Sequence, residues 1–331
     1  MSVATEHPFA EFIRQIGKGQ KGRRDLTEQQ AFTAMTAILS NEASATQIGA
    51  FLMLMRVKEE CEEELIGFVK AIETFYCPSY PQPDIQTDIS WSSYSGKRDE
   101  SNWYVLAQLA LSQSYRILVH GGPGHTPGRH YTESVYEHLD LIQTPTPKLN
   151  SPAYLALRNW APKLEELISL RFELGLRSPL NSVLRLCSPV PARLQIMSVF
   201  HPRYAPLHQH AAIRLGRDRS LVFKGAGGEA EIRPNANTAL FMTHAAMGYD
   251  LTLRRKFATK VPPYQPSVNA LKALWRQGTS SHDHTTSGEI AIIETMTAVL
   301  MAYHHTDYQS AHEESLALWH DRDKNRLDIQ P

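Results

Sequence analysis

Apolar positions over the first 76 residues recur with a helical period, broken by polar starts of recognisable form. Thr27 followed by Gln30, and Ser44 followed by Gln47, are capping-box spacings, in which side chains satisfy the free N–H groups of a helix start. The runs AFTAMTAILS and IGAFLMLMRV follow them. The second run is apolar nearly all round, so burial on several sides is expected, a second subunit being one candidate cover. Glu62, Glu63 and Glu64 open a third helix through Phe75, their charge favourable at its N-terminus. Pro78, Pro81 and Pro83 end the run and make a stiff connector.

Beyond the connector, short apolar runs alternate with helices, the signature of an α/β layer fold. Strands are expected from Ile85 to Trp91, Arg116 to His120, Leu194 to Phe200, Leu221 to Phe223 and Ala239 to Met242. Helices are expected in WYVLAQLALSQ, in TESVYEHL, over a stretch from Pro152 to near Leu184, and twice between Glu289 and Trp319. No internal repeat or low-complexity tract interrupts the pattern.

A chain of 331 residues exceeds one comfortable core, so two domains are expected. With 42% hydrophobic and 21% charged residues the composition is that of an ordinary globular protein. No apolar run approaches the roughly 18 residues of a membrane span and no signal-peptide core is seen, so a cytoplasmic address is expected. Cys61, Cys77 and Cys187 supply neither a disulfide framework nor a metal pair, and the histidine pairs lack completing ligands. Net charge is zero, which argues against a wholesale nucleic-acid binder but leaves local basic surfaces open. Lys18, Lys21, Arg23 and Arg24 form one basic cluster after Arg14, and Arg254, Arg255, Lys256 and Lys260 form another.

Candidate chemistry sits where strands meet loops, the place where open α/β sheets bind ligands. After the first strand comes SSYSGKRDE, with Tyr94, Gly96, Lys97 and Arg98; after the second comes HGGPGHTPGRH, with His120, Gly121 and Arg129. A third segment, FELGLRSPLNSVLRLCSP, carries Arg177 and Asn181; a fourth, FKGAGGEAEIRP, carries Glu229 and Glu231. In this order the segments resemble the core of anthranilate-phosphoribosyltransferase-like proteins of glycosyltransferase family 3. There the corresponding loops are a GTGGD pyrophosphate cradle, a KHGN loop, an ELGxRTxFN stretch and a GxDGxDE string whose Asp-Glu pair holds magnesium. Here the cradle keeps only Gly96, and Gly227 and Ala230 replace the aspartates. The SYSGKR and GGEAE forms resemble a divergent, nucleic-acid-binding branch of that family.

The resemblance implies a nucleoside phosphorylase/phosphoribosyltransferase-like fold. A small, discontinuous all-helical domain would span 1–77 with return helices near 160–188. A larger α/β domain, with a central mixed, mostly parallel sheet covered by helices, would span 78–331. The family also implies a homodimer through the helical domain. Transfer of a phosphoribosyl group rests on positioning and charge neutralisation, so the rewritten cradle and halved carboxylate pair favour binding over catalysis. The reading that results is a binder of DNA or RNA phosphate backbone without sequence readout and without a cofactor. Its contacts would be the two basic clusters together with Gly96, Lys97, Arg98, His120, Gly121, Arg129 and Arg177, while Tyr94 and Tyr131 would stack bases. The alternative is a transferase with a remodelled donor site, using Arg177, Asn181 and Glu231, with magnesium on Glu229 and Glu231. A scaffold without ligand is the third possibility.

Overall fold

The chain opens with α1 (Ala10–Gly17) and the one-turn α2 (Gly19–Gly22), followed by α3 (Glu28–Leu39) and α4 (Ala45–Lys58). Both capping boxes close: the Thr27 hydroxyl accepts from the Gln30 amide at 3.2 Å, and the Gln30 side chain accepts from the Thr27 amide at 3.0 Å. Ser44 and Gln47 repeat the exchange. α5 (Glu62–Tyr76) begins at Cys61, whose amide donates to the fully buried Glu64 at 2.9 Å. Glu64 also accepts from the Leu26 amide at 2.8 Å and pairs with Lys58 at 2.7 Å, so one carboxylate ties the entries of α3 and α5 to the end of α4. The computed structural model describes residues 5–79, 87–141, 146–259, 262–278 and 284–327. The expected positions Ile85, Pro81 and Pro83 lie outside the described residues.

Among the described residues seven strands follow: β1 (Ile89–Ser93), β2 (Ile117–Gly121), β3 (Ala153–Ala156), β4 (Leu194–Val199), β5 (Arg219–Lys224), β6 (Thr238–His244) and β7 (Met247–Leu253). They form one sheet in the order β3-β2-β1-β4-β5-β6-β7, with β1 to β5 parallel and β6 and β7 added antiparallel. Between β1 and β4 run α6 (Trp103–Leu111), α7 (Thr132–His138), α8 (Leu157–Trp160), α9 (Pro162–Ser169), α10 (Arg171–Leu174) and α11 (Leu180–Leu186). α12 (Tyr204–Arg214), α13 (Val268–Gln277), α14 (His284–His304) and α15 (Tyr308–His320) complete the chain. The architecture is therefore the expected one, a small helical N-terminal unit with an α/β unit built on a mixed, mostly parallel sheet. No helix among the described residues is long and apolar enough to cross a membrane.

Strand alternation sorts the core into two layers. Ile89, Trp91, Ile117, Val119, Leu221 and Phe223 face α6, α14 and α15. Leu118, Met197, Val199 and Val222 face the other way, into a core shared with α3, α4, α5, α9 and α11. Four elements depart from the sequence reading, one of them α12, where no helix was expected. The stretch expected to be helical from Pro152 begins with β3, a strand of 4 residues too short to show a period. β7 (MGYDLTL) is largely exposed and polar because it closes the sheet as an antiparallel edge. α13 was not expected either, although Val268, Leu271, Leu274 and Trp275 recur at helical spacing along it.

α3 and α5 meet at Gly67, where a Cβ would lie 2.3 Å from the Glu28 carbonyl and 2.7 Å from the Ala31 Cβ. Gly67→Ala should gain about 1 kcal/mol of helix propensity and lose more to backbone overlap that no rotamer relieves. A net destabilisation of roughly 1–3 kcal/mol is expected from urea unfolding. Three histidines are buried neutral. Burial lowers His120 to about 3, and lowers His125 and His208 to about 4, with nearby arginines adding to the shift. The folded state thus holds fewer protons than the unfolded chain below the ordinary histidine pKa. Stability from these groups is full above about pH 6.5 and falls as pH drops toward 4, by roughly 1.4 kcal/mol per pH unit for each histidine. Denaturation measured across that window should show the slope, and His120→Gln should remove about a third of it.

Candidate functional site

The loops after β1, β2 and β5 meet at the C-terminal ends of the parallel strands. The β5 loop turns through Ala226–Gly228 and brings Glu229 into the β1 loop. The amides of Ser95 and Gly96 each donate to the Glu229 carboxylate at 2.6 Å, and the Ser93 hydroxyl donates to it at 2.7 Å. Glycines permit this approach. A Cβ on Gly225 would lie 1.7 Å from the Glu229 carbonyl, and Gly228, at φ +90°, faces the Ser95 hydroxyl at 2.7 Å from such an atom. Arg185 of α11 closes the arrangement from the far side, donating to the Ser95 hydroxyl at 2.5 Å, to the Gly228 carbonyl at 2.8 Å and to the Ser198 carbonyl. Burial pushes the Glu229 carboxyl up, and the Arg185 charge with the three donors pulls it back.

A second carboxylate from the same loop does similar work. Glu231 pairs with the Lys97 ammonium, both side chains being 2% exposed, and accepts from the Tyr104 amide at 2.9 Å. Glu100 approaches Lys97 at 3.2 Å. Burial raises the Glu231 carboxyl to about 7 against the pull of Lys97. Burial also opposes the Lys97 charge, but Glu231 and Glu100 outweigh it and hold its proton. Lys97 is therefore not free to meet a phosphate, which corrects the sequence expectation. A magnesium ion does not fit here: an ammonium already occupies Glu231, and Glu229 is saturated by donors. The other convergence of metal-binding types among the described residues, Asp25, Cys61 and Glu64, likewise holds an ammonium, that of Lys58.

Tyr94 and Tyr131 are corrected too. They are 2% and 6% exposed, so neither offers a ring face to a base. Tyr94 instead bonds His120 at 2.9 Å, and His120 lies fully buried beside Trp160. Gly121 is needed because a side chain would run into the Ser93 carbonyl at 2.4 Å. His120 and Gly121 thus hold β1 and β2 together rather than line a cleft.

Free positive charge lies one layer outward. Arg56, Arg98, Arg129, Arg171 and Arg177 line a cleft of about 440 Å³, with Asp99 as its acid and Phe200 on its wall. Among the described residues none of the five arginines makes an ion pair. Arg171 and Arg177 both donate to the Thr126 hydroxyl, at 2.8 and 2.9 Å. Burial, then the charges of Arg171 and Arg129, lowers Arg177 to about 10. Arg129 braces the loops by donating to the carbonyls of Ser95, Gly96 and Gly227 at 2.8–3.0 Å. Arg98 is exposed and donates to the Pro127 carbonyl at 3.1 Å. Phe200 is 47% exposed.

The predicted basic clusters join this cleft only in part. Arg23 and Arg24 line a separate hollow with Lys58, Glu59 and Glu60, and Lys18 and Lys21 are exposed on the adjacent turn. Arg254 and Arg255 are exposed outside the cleft, and Lys256 is neutralised by Glu294 at 3.0 Å. Lys260 lies outside the described residues. Asn181 and Arg177 share a neighbouring cleft, also about 440 Å³, with Glu59, Glu60, His201 and Tyr204. Sequence reasoning missed Arg56, Arg171, Arg185 and Phe200. They stand singly in helices and loop ends, and only the fold gathers them.

Residues 10–75 match the family described as glycosyl transferase family, helical bundle domain. An uncharacterized protein of Escherichia coli (strain K12), YbiB, is 27% identical over 238 residues, covering 68% of this chain and 73% of that one. The anthranilate phosphoribosyltransferase of Geobacillus sp. (strain WCH70) is 27% identical over 269 residues, covering 75% and 78%. Among solved structures, the anthranilate phosphoribosyltransferase of Thermus thermophilus aligns with a TM-score of 0.73 at 20% identity, over 98% of this chain and 100% of that one. The Saccharomyces cerevisiae enzyme in complex with PRPP and Mg aligns with a TM-score of 0.75 at 18% identity, over 98% and 96%. The chain, then, is similar at residues 10–75 to the helical bundle domain of the glycosyl transferase family and has the fold of the anthranilate phosphoribosyltransferases over nearly its whole length.

Proposed function

We propose that this chain binds the phosphate backbone of a nucleic acid in the arginine cleft, on a phosphoribosyltransferase scaffold whose donor cradle its own side chains have closed. The observation that carries this reading is the cleft itself, where five arginines line one concavity and none has a carboxylate partner among the described residues. Cations in excess over acids in a concave site focus an attractive field on anions. Guanidinium forks match phosphate oxygens, and such contacts need no base readout. Phe200, half-exposed on the wall, offers a face for stacking. A second copy docked through the helical unit would double this surface and raise avidity.

A second reading, transfer of a phosphoribosyl group, draws on the relatives and on the fold, and the comparisons favour it at the level of scaffold. Arg177 and Asn181, two of the three residues a transferase was expected to use, do share one cleft. Against it stand the two filled loops. Glu229 sits where a donor's oxyanions would need amides, and Lys97 sits on the carboxylate a metal would need.

Fluorescence anisotropy with a labelled mixed-sequence oligonucleotide across salt concentrations tests the first reading. Affinity should fall steeply with salt, and the double variant Arg98→Ala/Arg171→Ala should make the log–log slope shallower by roughly 1.5. Lys97→Ala should lower the Tm and leave that slope unchanged, because Lys97 is buried. Binding indifferent to salt, or a slope untouched by the arginine changes, would remove the reading. Calorimetric titration with PRPP and magnesium tests the second. No saturable heat is expected, whereas magnesium-dependent saturation lost in Arg177→Ala would reverse the order of the two.

A further inference from the structure

Glu229 is a charged side chain 1% exposed, and a role for it rests on the reading above that the chain's own side chains close the cradle, although phosphate contacts in the arginine cleft make no direct use of it. Its surroundings are those of a bound oxyanion. Two consecutive main-chain amides, Ser95 and Gly96, converge on one oxygen, a hydroxyl donates to the other, and a buried guanidinium stands behind. Consecutive amides around a glycine of positive φ form a concavity suited to anions, and Gly96 has φ +65°. Arg185 has no carboxylate at ion-pair distance among the described residues, and Glu229 is the acid whose charge acts on it. The group that completes this cradle is thus carried by the protein itself.

We propose that Glu229 is a tethered substitute for a phosphate, and that the amides of Ser95 and Gly96 with Arg185 form a latent oxyanion site that the carboxylate keeps shut. The class of ligand follows from the donors: a tetrahedral or planar oxyanion of small size, phosphate or pyrophosphate when free, a short carboxylate as mimic. Two features make the carboxylate a plug rather than a passing contact. The Glu229 carbonyl is fixed by the Ser198 hydroxyl at 2.9 Å, and Gly225 and Gly228 let the loop press against β1 with no side chain between. Truncation to alanine removes the charge and opens its space, leaving two amides unpaired, the Ser93 hydroxyl with Thr132 alone and the Arg185 charge without its acid, all around one buried pocket. Such donors are costly to leave unsatisfied, so an external anion should be taken up.

The test is chemical rescue followed by thermal unfolding, using the full chain. Glu229→Ala should melt lower than wild type by roughly 5 °C. Millimolar pyrophosphate or phosphate should return most of that loss, saturably, and acetate part of it. Wild type, whose cradle is occupied, should gain far less. Glu229→Gln, which keeps the volume and loses the charge, should also melt lower, yet gain nothing from the anions because no space is opened. Should Glu229→Ala fail to fold in buffer alone, refolding from urea with and without pyrophosphate reads the same property, with a yield that depends on the anion. A Glu229→Ala protein that responds to the anions no more than wild type does, or a Glu229→Gln protein as stable as wild type, would overturn the proposal. Neither result bears on the salt titration, because the arginine cleft lies outside the plug.

Discussion

Two carboxylates from one short loop organise the strand ends of this protein. Glu229 takes the amides of Ser95 and Gly96, and Glu231 takes the ammonium of Lys97. Each replaces with an internal bond what an open loop would offer to a ligand. Buried charges are tolerated only when paired and hydrogen-bonded, so the two contacts stand or fall together with the close approach that Gly225 and Gly228 allow. The β1 and β5 loops are thereby locked, and Arg129 rivets their carbonyls from outside.

That lock decides which cations remain available. Lys97 is consumed inside and Arg185 is spent on carbonyls and a hydroxyl, whereas Arg98, Arg171 and Arg177 face a cleft with Asp99 as its acid. Mutual repulsion is visible in Arg177, lowered by burial and by its arginine neighbours. Holding several like charges in one concavity costs folding free energy, and the anionic ligand proposed above would offset that cost on binding. The fold shared with anthranilate phosphoribosyltransferases sets the geometry, while the side chains at the strand ends give the site a different character.

Much of the architecture was legible along the chain because its causes are local. Thr27 with Gln30 and Ser44 with Gln47 mark helix starts by contacts across three residues, and both boxes close. Short apolar runs placed β1, β2, β4, β5 and β6 within a few residues. β3 and β7 escaped because the first is only 4 residues long and the second is an exposed edge with little apolar signal. Within the site, SYSGKR and GGEAE were recognisable as strand-end loops, and the fold brings the two together. Reading Lys97, Tyr94 and His120 as surface groups failed, since a residue's polarity says nothing of whether a distant partner will bury it.

The sequence by itself determined the helical opening, the succession of strand, loop and helix, and the glycines that let loops approach one another. These follow from backbone freedom, capping and periodicity, all settled within a turn or a strand. Only the tertiary structure decided that Glu229 fills the amide cradle, that Lys97 turns inward to Glu231, and that Arg56 and Arg171 join Arg98, Arg129 and Arg177 around one cleft. Pairing of charges is set by which side chains the packed layers bring within a few ångströms. Residues distant in the chain carry no local mark of that meeting.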